Sequence, residues 1–261
     1  MGEFSKDHNR EFTDIRLHPD KLTIPLSWKK PKRIFVNSMS DLFHEQVPFV
    51  FIDEVFKIIC QCRGRHTFQI LTKRPQRMYE WFQHAKRVEP YWFRPSDGIL
   101  DLWQTWLGVS VENQAAADER IPWLLETAAA VRFLSVEPLL GPVDLTHVQT
   151  NEVEINCLTG DHGVFRPLAG RSDRKIDWII IGGESGPGAR PCDISWVRSI
   201  VEQCKSADVS CFVKQLGAYP ILDPRYDRSL PGWTRKLRDK KGGDIEEWPA
   251  DIQIREYPKG A

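Results

Sequence analysis

Residues 176–183, IDWIIIGG, constrain the fold class more tightly than any other part of this chain. Ile176, Trp178, Ile179, Ile180 and Ile181 are β-branched or aromatic, and they run almost without a polar break. A strand apolar on both faces belongs in a parallel sheet covered by helices. Gly182-Gly183-Glu184-Ser185-Gly186-Pro187-Gly188 follows at its end. Glycines let the backbone turn sharply and let a ligand come close, and Glu184 adds a carboxylate. Ligands of α/β folds gather at the carboxyl ends of strands, so function is sought here first. Arg190-Pro191 intervenes before the next helix, so the glycines are not the dinucleotide fingerprint.

The same rhythm repeats elsewhere. RIFV (33–36), TFQIL (67–71), TWLGVSV (105–111), VRFLSV (131–136) and SCFV (210–213) read as further strands. Between them, Ile52, Val55, Phe56, Ile59 and Cys60 share one face of a helix that Pro48 opens. Pro75 begins a second helix that turns Met78, Trp81, Phe82 and Ala85 inward. Asn113 caps a third over 114–129, which Pro122 is expected to break or kink near Arg120. Asp193 caps a fourth, with Trp196, Val197, Ile200, Val201 and Cys204 on one face.

Strands alternating with helices imply right-handed βαβ units and a parallel sheet. A doubly wound sheet satisfies this pattern, but polar residues at nearly every strand end favour a TIM-like parallel (β/α) barrel. Residues 1–30 form an extended lead-in without a strand of their own, so the barrel is expected to be partial or incomplete at its N-terminus. It should occupy 31–217, with an irregular insertion at 144–175 and a loop-rich tail at 218–261 packed on it.

Composition narrows the function classes. Lys+Arg 36 against Asp+Glu 36 leaves no net charge, so a polyanion is not indicated for the molecule as a whole. No apolar run reaches the roughly 20 residues of a membrane span, and no membrane partner is expected. The 6 cysteines are scattered, which fits a reduced, cytoplasmic protein better than a disulfide framework. Cys60-Gln61-Cys62 lacks a second ligand pair, and no metal site is expected. The 73–94 segment mixes cations with aromatics, as surfaces for single-stranded nucleic acid do, although half of it reads as an amphipathic helix.

On one barrel rim the strand ends would bring together Asn37, Ser38, Ser40 and Asp41; Lys73 and Arg74; Ser110, Glu112 and Asn113; Glu137; Gly182, Gly183 and Glu184; and Lys214 and Gln215. Converging charges of both signs are costly to desolvate unless paired or liganded. Salt bridges that close the barrel mouth would meet that need, and so would a ligand site.

The blocks RIFVNSMSDLFHE (33–45), FQILTKRPQRM (68–78), WLGVSVEN (106–113), RFLSVEPLLGPVDL (132–145), DWIIIGGESGPGARP (177–191), FVKQLG (212–217) and KGGDIEEWP (241–249) occur in order along the chain. Together they resemble an uncharacterised phage- and prophage-associated family related to radical S-adenosylmethionine enzymes. The resemblance implies a (β/α) barrel that binds S-adenosylmethionine, with a [4Fe–4S] cluster on three cysteines in a complete member. It sets Asn37, Ser38, Ser40 and Asp41 towards the methionine amino group, and Ser110, Glu112 and Asn113 towards the ribose. Gly182, Gly183 and Glu184 fall beside the adenine. Lys73, Arg74, Glu137, Lys214 and Gln215 are left for carboxylate pairing or for an unknown substrate.

No three-cysteine cluster motif exists in this sequence. The chain is therefore expected to be an N-terminally truncated or a cluster-free form, inactive in radical chemistry as it stands. The alternative is a non-catalytic phage protein that binds a nucleotide or a nucleic acid.

Overall fold

The computed structural model describes residues 15–88, 105–150, 153–162, 174–221 and 237–259. Parts of the segments named above lie outside the described residues: 1–14 of the lead-in, 89–94 of the basic and aromatic segment, 151–152 and 163–173 of the insertion, and 222–236 and 260–261 of the tail.

Six parallel strands form the main sheet: β1 (Arg33–Val36), β2 (Thr67–Thr72), β3 (Thr105–Ser110), β4 (Val131–Val136), β5 (Trp178–Gly182) and β6 (Ser210–Gln215). They hydrogen-bond in chain order, β1-β2-β3-β4-β5-β6. A doubly wound sheet reverses its strand order at a switch point, and this one does not. The sheet curls into a half-barrel that is not closed, since β1 and β6 are not neighbours within it.

Two contacts register the curl. Trp106 of β3 and Trp178 of β5 meet edge to face at 5.8 Å, across the intervening β4. Arg33 of β1 lies 4.7 Å over the ring of Tyr257, from the tail that covers the opposite edge. That tail runs antiparallel to β6: Val213 N donates to Ile254 O, and Glu256 N donates to Cys211 O (both 2.9 Å). It hides the backbone groups that an edge strand would otherwise offer to another chain.

The convex face carries the helices. α1 (Phe49–Gln61) buries Ile52, Val55, Phe56, Ile58 and Ile59, while Cys60 is only partly covered. α2 (Pro75–Val88) buries Met78, Trp81, Phe82 and Ala85, with Trp81 stacked on Phe56 at 4.2 Å. α4 (Ile194–Ser206) starts at Asp193, whose carboxylate accepts from Ser195 N. The concave face has its own smaller core of Trp106, Phe133 and Trp178, flanked by Leu71, Ile180 and Phe212. Gly108 is required there: a Cβ would lie 2.5 Å from the Phe133 ring that crosses it.

Two expectations are corrected. Pro122 does not break the third helix: α3 (Gln114–Glu126) runs through it, though it ends short of residue 129. Burial of Ala116, Ala117, Ile121, Leu124 and Leu125 on one side holds it against the sheet, and tertiary packing of this kind overrides a local breaker. The 144–175 insertion is not wholly irregular either. Val148–Gln149, Glu154–Asn156 and Asp161–His162 form a small antiparallel sheet.

Candidate functional site

The carboxyl ends of the six strands lie on one rim, as a parallel sheet in chain order requires. Its groups are anchored by the loops that follow each strand. Asn113 accepts from Ala116 N and caps α3, so its amide is a structural device. Asp41 is likewise saturated. Its carboxylate accepts from Phe43 N, Thr72 Oγ1, Lys73 N and Arg74, tying the loop after β1 to the end of β2. Arg74 is shared between Asp41 (3.1 Å) and Glu45 (2.7 Å). Asn37, Ser38 and Ser40 are exposed, and with Asp41, Lys73, Arg74 and Ser110 they border a cavity of about 1380 Å³ beside β1.

Two carboxylates have a common design. Glu112 is gripped from within by Arg120 of α3, which donates to Glu112 Oε2 (2.8 Å) and to Ser110 O (2.9 Å). From outside, Lys73 Nζ pairs with Glu112 Oε1 at 2.6 Å. Arg120 is only 16% exposed but Lys73 is 57% exposed. Glu137 repeats the arrangement across the rim. Gln215 Nε2 donates to Glu137 Oε1 (3.0 Å) and to Gly183 O, and the half-exposed Lys214 pairs with the same carboxylate at 2.9 Å. Each carboxylate therefore has one shielded partner and one exposed lysine.

Burial pushes the Glu112 carboxyl up, but the hydrogen bond from Lys73 and the charges of Arg120 and Lys73 outweigh it and hold the group below its usual range. Glu184 accepts from the backbone and guanidinium of Arg190, chiefly through the side-chain bond, and is held down to about 2. That bond in turn raises Arg190, with a smaller push from the charge of Glu112. The third carboxylate pair thus lies within electrostatic reach of the first.

Glycines make these approaches fit. A Cβ on Gly182 would sit 2.9 Å from the Glu137 carboxyl carbon. Gly183 and Gly217 bring backbone against backbone: Gly183 N donates to Gln215 O, and Ala218 N to Glu184 O. Beneath the charged groups, Ser110 and Ser135 are register partners on β3 and β4. Both are more than nine-tenths buried, and neither hydroxyl has a hydrogen-bond partner among the described residues. They share the concave face with Trp106 and Phe133 by strand alternation.

A family model described as a protein of unknown function, DUF5131, matches residues 2–246. The chain belongs to the DUF5131 family. No curated protein and no solved structure matches it significantly. The family description gives no activity, and neither phage association nor radical S-adenosylmethionine chemistry is part of it.

The cysteines of this DUF5131 chain do not fit an iron–sulfur cluster. All six are free: Cys60 is in α1 and Cys62 just after it, Cys157 is in the insertion, Cys192 precedes the Asp193 cap of α4, Cys204 is in α4 and Cys211 in β6. Burial raises the Cys62 and Cys157 thiols, and raises Cys192 to about 12. Cys204 is raised by its hydrogen bond with Cys211 and then by burial. Cluster ligands must be thiolates, and burial opposes that form at Cys62, Cys157, Cys192 and Cys204. Among the described residues no cluster of histidine, cysteine and carboxylate side chains could hold a metal ion. No helix of the described residues is long and apolar enough to cross a membrane.

Arg120 and Arg190 are site residues that strand-end reasoning does not reach. Arg120 was legible in one respect: it lies four residues after Ala116, on the buried stripe of α3. An arginine on an apolar stripe calls for a buried acid. Arg190 follows a glycine-proline turn and carries no such signal.

Proposed function

We propose that the rim of this half-barrel binds a nucleoside-type ligand bearing both charges, with S-adenosylmethionine the first compound to try. The resemblance to radical S-adenosylmethionine enzymes, and the phage association it brings, enter here as part of this proposal. The observation that carries it is the paired arrangement at Glu112 and Glu137. Each carboxylate keeps a shielded hydrogen-bond partner when its lysine moves aside, which leaves the carboxylate to face a ligand cation and the ammonium to face a ligand anion. Ser110 and Ser135 supply hydroxyls below, and Leu71, Ile180 and Phe133 supply an apolar surface.

Since the cysteines present do not suit a cluster, the reading is binding without radical chemistry by the described residues. Isothermal titration calorimetry with S-adenosylmethionine, S-adenosylhomocysteine and 5′-deoxyadenosine tests it. Saturable heat with S-adenosylmethionine is expected, and E112Q and E137Q should each weaken it about tenfold, equal to about 1.4 kcal/mol. No heat from any of the three compounds removes the proposal.

A further inference from the structure

The end of the barrel opposite the rim carries a second surface of different character. From Leu22 to Phe35 the chain has Lys29, Lys30, Lys32 and Arg33 and no carboxylate. From Val55 to Phe68, which carries Arg63 and Arg65, it again has no acidic residue. In a chain with no net charge, such segregation is a local property. The fold then places parts of the two stretches side by side. β1 pairs with β2 from Arg33 opposite Thr67 onward, and Thr67 N donates to Lys32 O at 2.9 Å.

The basic run is also held in place. Arg65 Nη1 donates to Leu26 O (3.2 Å), and the His66 ring bonds Pro25 O (3.0 Å). Trp28 meets His66 edge to face at 5.9 Å, and Lys32 sits 4.2 Å over Trp28. Lys29, Lys30, Lys32, Arg33, Arg63 and Arg65 are all exposed on this end. Lys29 and Lys30 have no ion-pair partner among the described residues. Glu256 is the acid nearest in sequence to Tyr257 at this end, and its carboxylate is turned to Cys211 N. Tyr257, 49% exposed, and Phe35, 43% exposed, flank Arg33.

We propose that this face is an interface for the phosphate backbone of single-stranded nucleic acid. Fixed cations interleaved with exposed aromatic rings are the pattern by which proteins track a strand without reading its sequence. The face is separate from the rim and does not depend on what the rim binds.

Fluorescence anisotropy with labelled single-stranded DNA and RNA tests the proposal. Four to six phosphate contacts give a slope of log affinity on log salt of about −3 to −4, so binding should weaken roughly 50- to 250-fold between 50 and 200 mM salt. K29E/K30E should weaken binding at least tenfold. K240E/K241E makes the same charge change in the tail and should leave it unaltered. Absence of binding at 50 mM salt, equal losses in both variants, or preference for phosphatidylserine vesicles overturns the proposal. It also falls if K29E/K30E aggregates by light scattering while its remaining monomer keeps full affinity. In that case Pro31 and its lysines only guard the β1 edge against pairing.

Discussion

Replacing Gly183 with alanine destabilises the fold by at least about 3 kcal/mol, the upper range for inserting an atom into a close-packed interior. The added Cβ would stand 2.2 Å from Leu216 O, 2.6 Å from Leu216 C and 2.9 Å from Gly217 N. All three are backbone atoms, so no rotamer relieves the clash. Nor can the opposite strand retreat. A Cβ on Gly217 (φ +82°) would meet Glu184 O at 2.6 Å, and Leu216 N donates to Gly242 O behind it. Urea unfolding should show a large fall in midpoint with an unchanged slope. Two neighbours calibrate the result. Gly186 (φ +113°) has open space around it, so G186A meets only backbone strain, about 1–2 kcal/mol. G182A meets the end of the Glu137 side chain, which can swing away. It should leave stability within about 1.5 kcal/mol of wild type while displacing the carboxylate from Lys214 and Gln215. A G183A protein as stable as G186A would show that the two turns do not touch.

This crossing of backbones also marks how far the sequence could be read. The glycines after β5 were visible as a turn, but what they turn against was not. Gly217 and Gly242 lie 34 and 59 residues further on, and nothing local joins the three. The six strands were legible because each is a short run rich in β-branched and aromatic residues, as at Trp178–Ile181, and the helices because their apolar residues recur on one stripe. The strands of the insertion were missed because two or three residues are too few for an alternation to register. At the rim, residue type was legible and partnership was not. Asp41 and Asn113 sit at strand ends like Glu112 and Glu137, yet the first two spend their oxygens on backbone and cap. Which carboxylate is spent on the fold and which is left to a ligand depends on loop geometry, to which periodicity is blind.

Arg120 gives the second large effect. Its guanidinium is the shielded partner of a Glu112 side chain that is itself 13% exposed, so R120M leaves a largely buried carboxylate with Lys73 alone. Breaking a buried pair from one side costs about 3 kcal/mol, far more than losing an exposed partner. K73M, by contrast, removes a lysine that is 57% exposed and should cost no more than about 1 kcal/mol. The two variants should also differ in pH dependence. In the wild type the Glu112 pKa is lowered on folding. Its contribution is therefore full above the unfolded carboxylate value and is lost as pH falls through the folded one. R120M removes the charge of Arg120 from the groups that outweigh burial, so the folded pKa moves up towards the unfolded value. Less of the ionisation-linked stability is then present above the carboxylate range, so the deficit against wild type is greatest near neutrality and narrows on acidification. Adding E112Q to R120M removes the stranded charge, and the double variant should regain part of the loss at neutral pH. Equal costs for R120M and K73M, with parallel pH profiles, would mean that Glu112 is held from the solvent side. The ligand reading of the rim would then lose its premise, since a carboxylate that depends on Lys73 cannot release it.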